Sequence, residues 1–292
     1  MRYKIRHMTE YEYHERVSIC YNKALISPIS HHNQQRLFHN IYINPYPESA
    51  HFHQDYFGNT TYLFDIYKPH EKMVITAETE VEIKINEVAY EQVSLSYNAA
   101  IKAIQENKDK TTLTAREFLY PSIIKHDSAI FFDYAHSVFN SSGSLDQSVK
   151  DLTAKIFEDF TYDPEFSSIA TPLSHVIKYK RGVCQDFAHL QIACLRALGI
   201  PAKYVSGYIE TVPPEGQKKL RGVDATHAWI AYYSPTIGWI EYDPTNNKRV
   251  DEQYIVTAYG RDYFDVTPIK GVIFGGGNKP KLNVSVDVTR QK

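Results

Sequence analysis

The chain has 292 residues, 43% of them hydrophobic and 23% charged, and carries a formal net charge of −2. That is a globular composition with room for two domains of ordinary size, and it offers no global field for nucleic acid or an anionic membrane surface. Three cysteines, Cys20, Cys184 and Cys194, are too few and of the wrong parity for a disulfide framework.

The N-terminus, Met1-Arg2-Tyr3-Lys4-Ile5-Arg6-His7, lacks the apolar core of a signal peptide, and no run approaches the ~18 apolar residues of a membrane span. The expectation is therefore a cytoplasmic protein with no membrane partner. Residues 1 to 90 read as β structure. Tyr3, Ile5 and His7 alternate with charged residues, Tyr11 and Tyr13 continue after a short break, and strand-like runs follow at Leu37–Ile43, Thr61–Tyr67 and Lys72–Ile85. Turn signals at Ser27-Pro28, Asn44-Pro45, Phe57-Gly58-Asn59 and Lys68-Pro69 separate them, which predicts a small sandwich or barrel. His31-His32 and His51-Phe52-His53 read as surface or loop histidines, because a structural zinc site wants four ligands and Cys20 is the only thiol nearby.

Residues 91–145 read as a helical linker. Asn107-Lys108-Asp109-Lys110 is a solvated loop and Ala115–Ser122 a short helix stopped by Pro121. Val149, Leu152, Ile156 and Phe160 recur at helical spacing after a start at Leu145-Asp146, and Thr171-Pro172 opens a further short helix with Thr171 as its cap.

That helix delivers the chain to Arg181-Gly182-Val183-Cys184-Gln185-Asp186-Phe187. Apolar residues at Phe187, Leu190, Ile192, Leu195 and Leu198 predict a helix with Cys184 in its first turn, stopped by Gly199 and Pro201. A thiol at a helix N-terminus meets unpaired N–H groups and the positive end of the dipole, the placement a reactive cysteine needs. Cys194, mid-helix among apolar residues, reads as packing. Lys203–Ile209, Ala225–Tyr233 and Trp239–Tyr242 read as strands, and Val212–Lys219 as a polar excursion that either rims the cleft or forms a surface hairpin tip. The second strand carries His227, and Asp243 follows the third. The tail alternates at Leu282–Val288 and reads as a closing strand. Its triple glycine, Gly275–Gly277, lacks the Lys-Ser/Thr of a phosphate loop.

Gly-Val-Cys-Gln-Asp-Phe-Ala-His-Leu, Leu-Gly-Ile-Pro-Ala, Val-Ser-Gly-Tyr, Asp-Ala-Thr-His-Ala-Trp and Asp-Pro-Thr-Asn together resemble the bacterial transglutaminase-like cysteine enzymes. Asp55-Tyr56-Phe57-Gly58-Asn59 resembles the N-terminal β-domain that accompanies many such cores. The resemblance implies an α+β protein: a β-sandwich or barrel-like domain (1–90), the linker (91–145) and a papain-like transglutaminase core with its closing strand (146–292). It implies a catalytic triad of Cys184, His227 and Asp243, no cofactor and no metal. A substrate peptide or protein is the implied partner, with peptide-ligase systems of the ATP-grasp kind as associates.

Gln185, Asp186, Trp229 and Asn246 are candidate substrate contacts. Asp186 reads more readily as a residue serving its own helix, and Trp229 and Trp239 as core aromatics. His189 lies about 140° round the helix from Cys184, too far to be its base. Asp224 and Glu241 rival Asp243 as orienter of His227, and Asp243 prevails on the Asp-Pro-Thr match. The Cys184 N–H is one natural oxyanion donor. Animal transglutaminases take another from a tryptophan upstream of the cysteine, whereas Trp229 and Trp239 both lie downstream. The leading function is cleavage of amide bonds through a thioester. Transamidation is the alternative, and a catalytically silent binding module the second.

Overall fold

The structure is a computed structural model that describes residues 1–85, 94–120, 128–139, 143–168, 171–211 and 226–291. Five strands open the chain: β1 (Arg2–Ala24), β2 (Gln34–Asn44), β3 (Ser49–Gln54), β4 (Thr60–Ile66) and β5 (His70–Ile83). Helices α1 (Tyr97–Glu106), α2 (Lys110–Arg116), α3 (Ser128–His136) and α4 (Leu145–Asp159) follow. Then come β6 (Thr161–Tyr162), α5 (Leu173–Tyr179), β7 (Arg181–Gly182) and α6 (Cys184–Ala197). The second sheet is built from β8 (Ala202–Ile209), β9 (Thr226–Ser234), β10 (Gly238–Asp243), β11 (Lys248–Arg249) and β12 (Tyr254–Gly260). The chain closes with α7 (Tyr263–Val266), β13 (Ile269–Gly275) and β14 (Lys281–Gln291).

β1 is the spine of the first sheet. Along residues 2–12 it pairs antiparallel with β5 on one side and β14 on the other; beyond Val17 it pairs with β13, and from Cys20 with β4 as well. Tyr3, Ile5, His7 and Thr9 point inward and are buried, while the intervening Arg2, Lys4 and Arg6 are exposed, so the predicted period of two holds. The strand does not break before Tyr11, because β5 and β14 both stay paired with it through Glu12.

The tail corrects the sequence reading. The closing strand, assigned with residues 146–292 to the core, leaves the core sheet after Gly260 and joins the N-terminal sheet through β13 and β14. Val286 and Val288 bury there beside Tyr3, Ile5, Val81 and Ile83, in one cluster with Tyr208 and Ile255 of the second sheet.

The linker also differs in detail. α1 lies where no helix was read. Asp109, expected in a solvated loop, caps α2 by accepting the Thr112 N–H at 2.9 Å. The helix expected over Ala115–Ser122 is instead the end of α2 and a 3₁₀ turn at Glu117–Leu119; Pro121 and Ser122 lie outside the described residues. α5 begins one residue later than expected, with Pro172 at its cap, and Thr171 accepts the Ser168 N–H. β3, unpredicted, holds His51 and His53 on a fully exposed strand. Among the described residues no helix is long and apolar enough to cross a membrane.

The second sheet runs β11-β10-β9-β8-β12, antiparallel throughout, and α6 packs on it through Leu190, Ala193 and Leu195. Its edge strand β12 would show unpaired backbone groups. Two side-chain amides from the first domain cover them. Gln34 accepts the Val256 N–H at 2.9 Å and donates to its carbonyl at 2.9 Å. Asn59 does the same for Tyr259, at 2.8 and 2.7 Å.

Asn59 is 0% exposed, so Asn59→Ala leaves a buried N–H and C=O unsatisfied. It should lower unfolding stability by about 1–3 kcal/mol, read from urea denaturation at an unchanged m-value. An unchanged midpoint would show that the clamp contributes nothing.

Candidate active site

Cys184 is the first residue of α6. The entry into the helix is fixed by Asp186, which accepts the Val183 N–H at 2.8 Å and the Ser167 hydroxyl. A side chain at Gly182 would press on the Asp186 carboxyl, which explains the glycine before the cysteine. Asp186 is buried, and burial raises its pKa. Among the described residues no main-chain carbonyl takes the Cys184 N–H, which leaves it as a free donor beside the thiol.

His227 is the second residue of β9, beside its partner Gly207 on β8, and Asp243 ends β10. The His227 Nε2–H donates to Asp243 Oδ2 at 2.7 Å, and Cys184 stands close enough to the same imidazole to favour its charged form. With Nε2 taken by Asp243, Nδ1 is the ring nitrogen left to face the thiol. Burial opposes the charge on His227, but Asp243 and Cys184 outweigh it and raise the imidazole from 6.5 to about 10. Asp243 is 0% exposed. Burial opposes its ionisation too, yet His227, Tyr254 and Asn246 hold it below the usual carboxylate range.

The carboxylate is saturated with donors. Tyr254 O–H and Asn246 Nδ2–H reach Oδ2 at 2.7 and 2.6 Å, and the Thr245 and Asn246 N–H groups reach Oδ1 at 2.8 and 3.3 Å. A thiol, an imidazole and a fixed carboxylate in this order are the parts of a nucleophile–base–orienter relay.

Comparison with known proteins shows what the chain resembles. Residues 133–244 match the model of the transglutaminase-like superfamily, and residues 3–82 that of the bacterial transglutaminase-like N-terminal region. An uncharacterized protein of Mycobacterium tuberculosis is 33% identical over 305 residues, covering 98% of this chain and 92% of its own. One from Mycobacterium leprae is 30% identical over 290 residues, 99% of either chain. The chain belongs to the transglutaminase-like superfamily. A Pseudomonas aeruginosa protein-glutamine gamma-glutamyltransferase is 30% identical over 102 residues, 32% of this chain and 15% of that protein. The crystal structure of a candidate cysteine protease from Cytophaga hutchinsonii superposes with TM-score 0.76 at 21% identity, covering 99% of this chain and 90% of that one. It shares the fold.

In this transglutaminase-like protein the other expected site residues have different fates. Gln185 stands half-buried beside the thiol. Asp186 caps its own helix and is not placed to meet a substrate. Trp229 is 0% exposed and its indole donates to Glu241 at 2.7 Å, so it supports the site from beneath rather than lining it. Its ring lies beside His227, with centroids 6.0 Å apart. Gly207 makes room for it, since a Cβ there would overlap both the indole and the Ile255 carbonyl. Asn246 spends its amide on Asp243 instead of on a ligand. Glu241, a rival orienter, is taken by Trp229 and by the Tyr259 hydroxyl at 2.8 Å. His189 accepts the Tyr263 N–H at 3.1 Å. Asp224 and the excursion over 212–219 lie outside the described residues. Tyr254 was missed altogether, because nothing local in a β12 tyrosine signals a partner on β10.

His227 adds stability in full below its ordinary 6.5, and loses it as pH rises through about 10. Asp243 adds stability above the ordinary carboxylate value, and loses it as acid takes the pH through its lowered one. The His227 ring should therefore titrate near 10 by nitrogen-15 NMR, and fall toward 6.5 in Asp243→Asn. A wild-type midpoint near 6.5 would contradict the pairing.

Proposed function

We propose that the protein is a cysteine enzyme that cleaves peptide or isopeptide amide bonds through a thioester on Cys184. The observation that carries this reading is the Cys184 thiol at the head of α6 beside a His227 that is hydrogen-bonded to the buried Asp243. In it, the proton of the Cys184–His227 pair sits on the imidazole, in keeping with its raised pKa, and Sγ attacks the amide carbonyl carbon. The tetrahedral oxyanion is met by the Cys184 N–H. The C–N bond breaks as His227 returns the proton to the leaving amine, and a thioester remains. Water, deprotonated by His227, then attacks the thioester; the C–S bond breaks and the acid leaves. Asp243 fixes the tautomer throughout and stabilises the imidazolium.

A second reading, transamidation, is favoured by the likeness of the core to a protein named a glutamyltransferase. There an amine replaces water in the last step, and the protein groups do the same work. Hydrolysis leads because water is always present.

A glutamine- and isopeptide-containing peptide library in oxygen-18 water, with and without an alkylamine, decides between them. The expected result is labelled acid that persists in modest amine and vanishes with Cys184→Ala. Amine adducts that outcompete acid would make the protein a transferase. Neither product from any peptide, with Cys184→Ala indistinguishable from wild type, would favour a binding module.

A further inference from the structure

The relay as described gives the developing oxyanion one donor, the Cys184 N–H. Oxyanion sites in acyl transfer gain most of their effect from paired donors already in place. Near the thiol lies a group that the relay does not use.

β6 and β7 form a short parallel bridge directly before the cysteine, with Tyr162 opposite Gly182, two residues upstream of Cys184. Two main-chain bonds hold it: Thr161 N–H to the Lys180 carbonyl and Asp163 N–H to the Gly182 carbonyl, each 2.8 Å. The Tyr162 ring then leans edge-on against Phe187, with centroids 6.5 Å apart. Residues three apart share a helix face, so the phenol lies over the face that presents Cys184. Tyr162 is raised above its ordinary value, by burial first and by Cys184 second, so its proton stays in place to be donated. The residue is 54% exposed, and among the described residues its hydroxyl bonds to nothing. The buried Tyr232 and Tyr254, by contrast, each give the hydroxyl to a carboxylate.

We propose that the Tyr162 hydroxyl is the second oxyanion donor, meeting the carbonyl oxygen of the substrate opposite the Cys184 N–H. The assignment rests on the acyl-transfer reading above. In the attack step it changes no bond count: the phenol O–H donates a hydrogen bond to the oxygen as negative charge builds there, and keeps its proton when the carbonyl re-forms.

The test uses one atom and two probes on the full chain. Tyr162→Phe removes the hydroxyl and keeps the ring on Phe187. Iodoacetamide alkylates Cys184 by displacement at carbon, with no oxyanion. p-Nitrophenyl acetate acylates it through a tetrahedral oxyanion. By mass spectrometry, Tyr162→Phe should alkylate at the wild-type rate but acylate about 10²–10³-fold more slowly, the scale of losing one such donor. Equal loss with both probes would mean that Tyr162 only supports the helix, and an unchanged acylation rate would mean that the hydroxyl is a bystander; either overturns the assignment. Failure of the acyl-transfer reading itself looks different, since wild-type Cys184 would then acylate no faster than His227→Ala.

Discussion

A carboxylate with no exposed surface is the constraint on which the core depends. An unpaired charge in the position of Asp243 would cost several kcal/mol. The fold answers with five donors from three places: the imidazole on β9, the phenol on β12, and two backbone N–H groups and one amide of the turn after β10. Each of these is fixed by the need to satisfy Asp243, and His227 is fixed most of all. The thiol then meets an imidazole whose orientation has been settled from behind.

Support for the site extends through the sheet into the N-terminal domain. Tyr254 and Tyr259 sit at the two ends of β12, one bonded to Asp243 and the other to the Glu241 that holds Trp229 beneath His227. β12 is an edge strand, and the domain that covers it does so with Gln34 and Asn59 rather than with another strand. The Asp55–Asn59 turn of the N-terminal domain is thus a docking element. Packing of Tyr208 and Ile255 against Tyr3, Ile5 and Val288 closes the same interface with apolar contact.

What the sequence revealed follows from how local each feature is. The cysteine helix was legible because its periodicity, its glycine entry and its Gly199 stop lie within twenty residues of chain, and Gly199 takes the left-handed conformation a stop requires, with φ of 81°. His227 and Asp243 were legible only through motif resemblance. Tyr254, Glu241 as an anchor and Tyr162 were not legible, because each is defined by a partner on another element. The tail shows the same limit. Alternation at Leu282–Val288 announces a strand but not its neighbour, and β1 offered a free side along residues 2–12 that the core sheet could not match. α1 was missed although Ser96 caps it and Ala100, Ile101 and Ile104 recur at helical spacing on its core side.

The central claim is that Cys184 is a nucleophile made reactive by His227. Its most direct measurement is the rate of iodoacetamide alkylation of each cysteine at neutral pH, in wild type and in His227→Ala, with intact-fold controls by circular dichroism. The structure predicts that Cys184 reacts at least about tenfold faster in wild type than in His227→Ala, while the buried Cys20 and Cys194 stay slow in both. Equal rates for Cys184 in the two folded proteins would contradict the account, since the imidazole would then have no hold on the thiol.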